Sequence, residues 1–167
     1  MDILYFMKEE YSAIRCDLPK LAAGDLPGTL VGAPLKRFMV RLDLVVRVGA
    51  ELILPEVMDA GRGAAAVALV AEDQLRSIGR IVAGYRKSEA LADQKRTELF
   101  RKLSAHLDQM ERAVLPLVRE LVATPVREDI GEIALDYRAD YRVGVPKASA
   151  QGSKAPGVAK VTSTISA

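Results

Sequence analysis

Tryptophan is absent from this chain, aromatic residues make up 5% of it, and one cysteine and one histidine stand among its 167 residues. Each scarcity excludes something. With so few rings the core must be aliphatic, which favours packed helices over a β-sandwich, whose strands draw on aromatic and β-branched side chains. The lone Cys16 cannot form an internal disulfide, as suits a reducing compartment. It falls between the stripe residues Ile14 and Leu18, which predicts a half-buried packing residue rather than a nucleophile. A single histidine supports no Ser-His-acid set.

An excess of charge is lacking too. The 24 basic and 22 acidic residues are interspersed and leave a net charge of +2, unlike the concentrated basic field of a nucleic-acid binder. No Gly-x-x-x-x-Gly-Lys phosphate loop occurs. The opening MDILYFMKEE has no basic n-region and its apolar run stops after seven residues, so it does not read as a signal peptide. The run LVVRVGAELIL is broken by Arg47 and Glu51 and is too short to span a bilayer. The expected location is the cytoplasm.

What is present is helical periodicity. Leu4, Met7, Tyr11, Ile14, Leu18 and Leu21 alternate steps of three and four and predict a helix over 2–22. The loop GDLPGTLVGAP follows. A second helix over 35–59 carries Leu35, Phe38, Leu42, Val45, Gly49 and Leu52, and GRG at 61–63 breaks it. A third over 64–87 carries Ala65, Ala68, Glu72, Leu75, Gly79 and Val82. The fourth, over 90–122, carries Leu99, Leu103, His106, Met110, Ala113 and Leu117, and Thr124-Pro125 ends it. A fifth, shorter helix covers 125–141. The expected fold is all-α: an antiparallel up-down four-helix bundle over 1–142, with a short C-terminal helix and an extended tail. That tail, 143–167, is rich in Ala, Gly, Ser and Pro. From Gly144 on it holds three lysines and no acid, and its last stretch VAKVTSTISA alternates as a strand added to a partner's sheet edge would.

The chain also repeats itself. Pro55 lies ten residues beyond Val45, and Pro116 lies ten beyond His106. Tyr11 precedes Val45 by 34 residues and Glu72 precedes His106 by the same interval, so each half reads as one helical hairpin, duplicated. With the opening MDILYFMKEEYSAI and the proline-containing ends LILPEV and AVLPLV, this order resembles the hemerythrin-like (HHE) cation-binding family, over roughly residues 1–122.

That resemblance implies a di-iron bundle in which each hairpin supplies one His from its first helix and a His-x-x-x-Glu pair from its second. An i, i+4 pair projects from one helical face and can reach one metal. Carried onto this sequence, the pattern has been lost almost everywhere. Tyr11 stands for the first His, Val45 and Gly49 for the second-helix pair, and Glu72, or Asp73 with a shift of one residue, for the third-helix His. His106 keeps its place, but Met110 replaces its glutamate, and Glu111 points about 100° away on an ideal helix. Valine, glycine and methionine offer a hard cation nothing. The resemblance therefore implies a degenerate metal site, with no cofactor expected and a residual inward polar cluster of Tyr11, Glu72 and His106, hydrogen-bonded to one another or through a water. The alternative is a mononuclear iron or zinc site built from those three.

Three functions follow. In the first, the chain is a non-catalytic structural or accessory subunit that binds a protein partner, or another copy of itself, through its surface and tail. Tyr137, Arg138, Tyr141 and Arg142 in LDYRADYRVG, with Lys147, Lys154 and Lys160 of the tail, are the candidate contacts, because Tyr and Arg anchor interfaces. A capping helix over the bundle end explains LDYRADYRVG equally well. In the second, the chain is a metal-binding sensor or carrier of O₂, NO or peroxide. In the third, an enzyme uses Glu72 and His106 as acid and base. Gly49 and Gly79, on inward stripes, read as sites of close helix approach.

Overall fold

The structure, a computed structural model, describes residues 1–22 and 28–143. Among these residues every regular element is helical. Helix α1 spans Ile3–Ala22 and α2 spans Gly32–Val48. A π-helical turn at Gly49–Ile53 joins α2 without a break to α3, Leu54–Asp59. After Gly61, whose φ of 135° suits a residue without a side chain, α4 runs over Arg62–Ser88. Helix α5 covers Asp93–Gln109, a second π turn covers Met110–Val114, and α6 covers Leu115–Leu121. Val122 turns extended, which ends α6 three residues before Pro125, and α7 then spans Thr124–Val143. No helix is long and apolar enough to cross a membrane among the described residues.

The interior is aliphatic, as the scarcity of rings requires. Ile3, Phe6, Met7, Ile14 and Leu21 of α1 are fully buried, against Leu42 and Val48 of α2, Ala68, Ala71 and Ile78 of α4, and Leu99, Leu103 and Leu107 of α5. Helix α1 packs on α2, α5 and α7; α4 packs on α2, α3 and α5. Cys16 is exposed rather than half-buried. The tail from Gly144, with its predicted strand-like end, lies outside the described residues.

The two π turns correct the stripes of the second and fourth helices at the same point in each. The periodicity leads to Leu52 and to Ala113 and Leu117, all only partly buried. The buried residues are Ile53 and Val57 in one helix, Val114 and Val118 in the other. Each set is displaced by one residue. The cause is the i→i+5 bonding of a π turn, which takes up one more residue than an α turn: Leu54 N–H reaches Gly49 O, and Leu115 N–H reaches Met110 O. Apolar steps of four, Val45-Gly49-Ile53-Val57 and His106-Met110-Val114-Val118, would drift by about 40° per step on an ideal α-helix. The extra residue brings the stripe back to the core. Proline contributes by crowding the carbonyl four residues before it, at Glu51 and Arg112. Pro19 sits within α1 without such widening, so proline alone does not dictate it.

Candidate functional site

The predicted polar cluster is only partly inward. Tyr11 of α1 and His106 of α5 are each 1% exposed. Glu72 is not in the interior: it sits partly exposed on α4 and pairs with Arg76 at 2.9 Å. The buried face of α4 is Ala64, Ala68, Ala71, Leu75, Ile78 and Val82, so Glu72 falls one position off it. The partner of His106 is Gln74 instead, whose Oε1 lies 3.2 Å from Nδ1. Sequence reasoning missed Gln74 because the stripe was drawn through Glu72, two residues earlier, as the inward polar residue. A neutral amide suits a neutral ring, and burial holds His106 neutral by lowering its pKa to about 4.

With Nδ1–H donated to Gln74, Nε2 presents a lone pair to the interior, and it has no hydrogen-bond partner. The Tyr11 hydroxyl is likewise buried and unpartnered, so the two do not bond to each other. Its pKa is raised well above the usual phenol range by burial and then by the Glu111 carboxylate.

The positions where ligands would be needed do face inward, and hydrocarbon occupies them. Val45 is 1% exposed, Met110 is fully buried, and Gly49 is buried in the π turn. A Cβ built on Gly49 would lie 2.8 Å from Leu75 Cδ1, so the leucine fills the space a carboxylate side chain would need. These residues do not fit a two-iron cage, since the positions carry no donors. Among the described residues, no group of three or more His, Cys, Asp and Glu is placed to hold a metal ion.

The best-formed polar cluster lies elsewhere, between α1 and α7. Glu10, 6% exposed, meets Arg41 Nε at 3.0 Å and Arg138 Nη2 at 2.8 Å. Arg138 also reaches Glu9 at 3.2 Å and lies 4.4 Å above the Phe6 ring. Tyr137 donates to Glu51 at 2.9 Å while Arg47 stacks 4.0 Å from its ring centroid. At the other end Arg127 Nε bonds Asp2 at 3.0 Å, and Gly131 lies against the backbone of Met1. Helix α7 thus runs beside α1 in the same direction and covers its length rather than the end of the bundle. Tyr137 and Arg138 are engaged within the chain, and Tyr141 is partly buried at the last turn. The side chain of Arg142, and Lys147, Lys154 and Lys160, lie outside the described residues. The signal for this cluster was the recurrence of acids seven residues apart on α1, Asp2 with Glu9 and Glu10 with Asp17.

Past the end of α7, a groove of about 960 Å³ opens between α1 and α2. Comparison of the chain with protein-family models, with curated proteins and with solved structures finds no match.

Proposed function

We propose that the chain is a non-catalytic member of the hemerythrin-like class, an antiparallel four-helix bundle that has lost its di-iron site and serves as a structural or accessory subunit. One observation carries this reading: Leu75 occupies the space beside Gly49 into which a metal-binding carboxylate would have to project. The duplicated hairpin supports the resemblance, because the two π turns begin at Gly49 and Met110 and each precedes a proline by six residues. Function then resides in surfaces. The partner is a protein or a second copy of the chain, met by the surface and by the segment after α7, in a cytoplasmic setting.

A second reading, a mononuclear iron or zinc carrier or sensor, is favoured by the unpartnered His106 Nε2 and Tyr11 hydroxyl. Metal analysis of the purified protein separates the two. The accessory-subunit reading expects far less than one iron or zinc per chain. About two irons, with a charge-transfer band, overturn it, and one tightly held metal lost in His106→Leu supports the second reading. Deleting 144–167 is expected to leave helicity and Tm nearly intact while abolishing partner capture.

A further inference from the structure

We infer that the outer face of α4 is a two-fold interface on which a second copy of this chain docks. Opposite its buried side, α4 presents Arg62, Ala66, Leu69, Asp73 and Arg76, all exposed and spaced by alternating steps of four and three. That spacing is the seam of two helices packed side by side. Leu69 is 54% exposed and its neighbour Val70 50%. Among the exposed large hydrophobics of the described residues, only these two are consecutive in the chain. Helix α4 packs on α2, α3 and α5 through its other side, where Ala64, Ala68, Ala71, Leu75 and Ile78 are buried.

The charges along the seam select the occupant. With a second α4 antiparallel and the two-fold axis midway between Ala66 and Leu69, each Leu69 meets Ala66 of the second copy, large against small. Arg62 then meets Asp73 of the second copy, and Asp59, at the end of α3, comes level with its Arg76. The groups are available for this. Arg62 and Asp59 make no hydrogen bond or ion pair among the described residues. The Asp73 side chain is 78% exposed and held only by Arg76 at 3.1 Å. Other arrangements set like on like. A parallel pair puts Arg62 on Arg62 and Asp73 on Asp73, and moving the axis to Leu69 puts Arg62 against Arg76. A surface whose charges and volumes complement their own image is what an isologous contact between identical chains requires. The segment 144–167 is a poorer occupant, because it brings three lysines and no carboxylate to Arg62 and Arg76. A contact of one helix per copy lies at or below the roughly 1,200 Å² of weak complexes, so a reversible, micromolar dimer is expected.

This inference rests on the partner-binding reading and names its partner, and its test is separate from the metal analysis. Sedimentation velocity of the full chain, from about 1 μM to about 500 μM, measures the monomer–dimer equilibrium. The expected result is a concentration-dependent dimer that Leu69→Glu abolishes with an unchanged far-ultraviolet spectrum. Arg62→Glu and Asp73→Arg, each at an exposed position, should separately weaken it by at least about fivefold, since each sets like charges together at both ends of the seam. The double variant, and an equimolar mixture of the two single variants, should recover the parent's affinity, because both arrangements restore opposite charges across the axis. No merely structural role for these residues predicts that rescue. A chain that stays monomeric throughout the range overturns the proposal, as does a dimer indifferent to Leu69→Glu. A double variant no better than the single ones also overturns it. So does dimerisation seen only after residues 144–167 are removed, which would make the chain's own segment the occupant. A monomer that still captures a partner through its tail would remove the α4 interface and leave the accessory-subunit reading standing.

Discussion

Leu75 and Gly49 occupy one volume between them: the leucine Cδ1 sits 2.8 Å from where a Cβ on the glycine would be. The contact is to the far end of a side chain that can rotate, so the pair should behave as a coupled unit. Gly49→Ala is expected to destabilise by about 1–3 kcal/mol through overpacking. Leu75→Ala is expected to cost about 2–5 kcal/mol through the cavity it leaves. The double variant should cost at least about 1 kcal/mol less than the sum, because each change makes room for or fills the other. Urea unfolding of the four proteins measures the cycle. Strict additivity would mean that the two residues do not share that space.

Two other glycines should respond in opposite directions. A Cβ on Gly79 would meet Val46 Cγ1 at 3.6 Å, an ordinary contact, so Gly79→Ala should stabilise by about 0.5–1 kcal/mol through helix propensity. A Cβ on Gly131 would run into the Met1 carbonyl, so Gly131→Ala must push α7 from the start of α1. A loss of about 1–3 kcal/mol is expected, with faster amide exchange concentrated in 124–143. Uniform exchange along the chain in Gly131→Ala would contradict a local undocking of α7.

The pH dependence of stability should carry the signature of one buried imidazole. Burial lowers the His106 pKa to about 4 from its ordinary 6.5. The unfolded chain therefore binds a proton below pH 6.5 that the folded chain refuses until near pH 4. Stability from this group is complete above pH 6.5, declines between 6.5 and 4, and levels off below that. The total is on the order of 3 kcal/mol. His106→Gln removes the titration and should flatten that interval relative to the parent, while carboxylate contributions remain common to both. Parallel curves for the two proteins would show that His106 titrates normally.

Much of the fold was legible because the apolar spacing is regular. The predicted ends of α1, α4 and α7 fall within three residues of the observed ones. The errors have two physical origins. Extrapolating an α-helical step through Gly49 and Met110 misplaced Leu52, Ala113 and Leu117 by one residue, though the steps of four on either side held the signal for a widened turn. At Glu72 the stripe admitted an acid where Ala71 was the buried residue, and that shift hid Gln74 as the partner of His106. The inward character of Tyr11, Val45, Gly49, His106 and Met110 was legible. The Glu10–Arg138 pairing was not, since 128 residues separate its members and no local periodicity links them.

The widened turns make the molecule unequally tolerant of shortening. Losing a residue from the middle of an ordinary helix rotates everything after it by about 100° and carries its apolar face out of the core. At 49–53 the chain holds one residue beyond what α winding requires, so excising the exposed Ala50 lets the turn tighten while both flanks keep their bearings. That deletion should leave a cooperatively melting protein, whereas excising Arg80, exposed but well inside α4, should not. The two hairpins thus each carry a built-in point of slack.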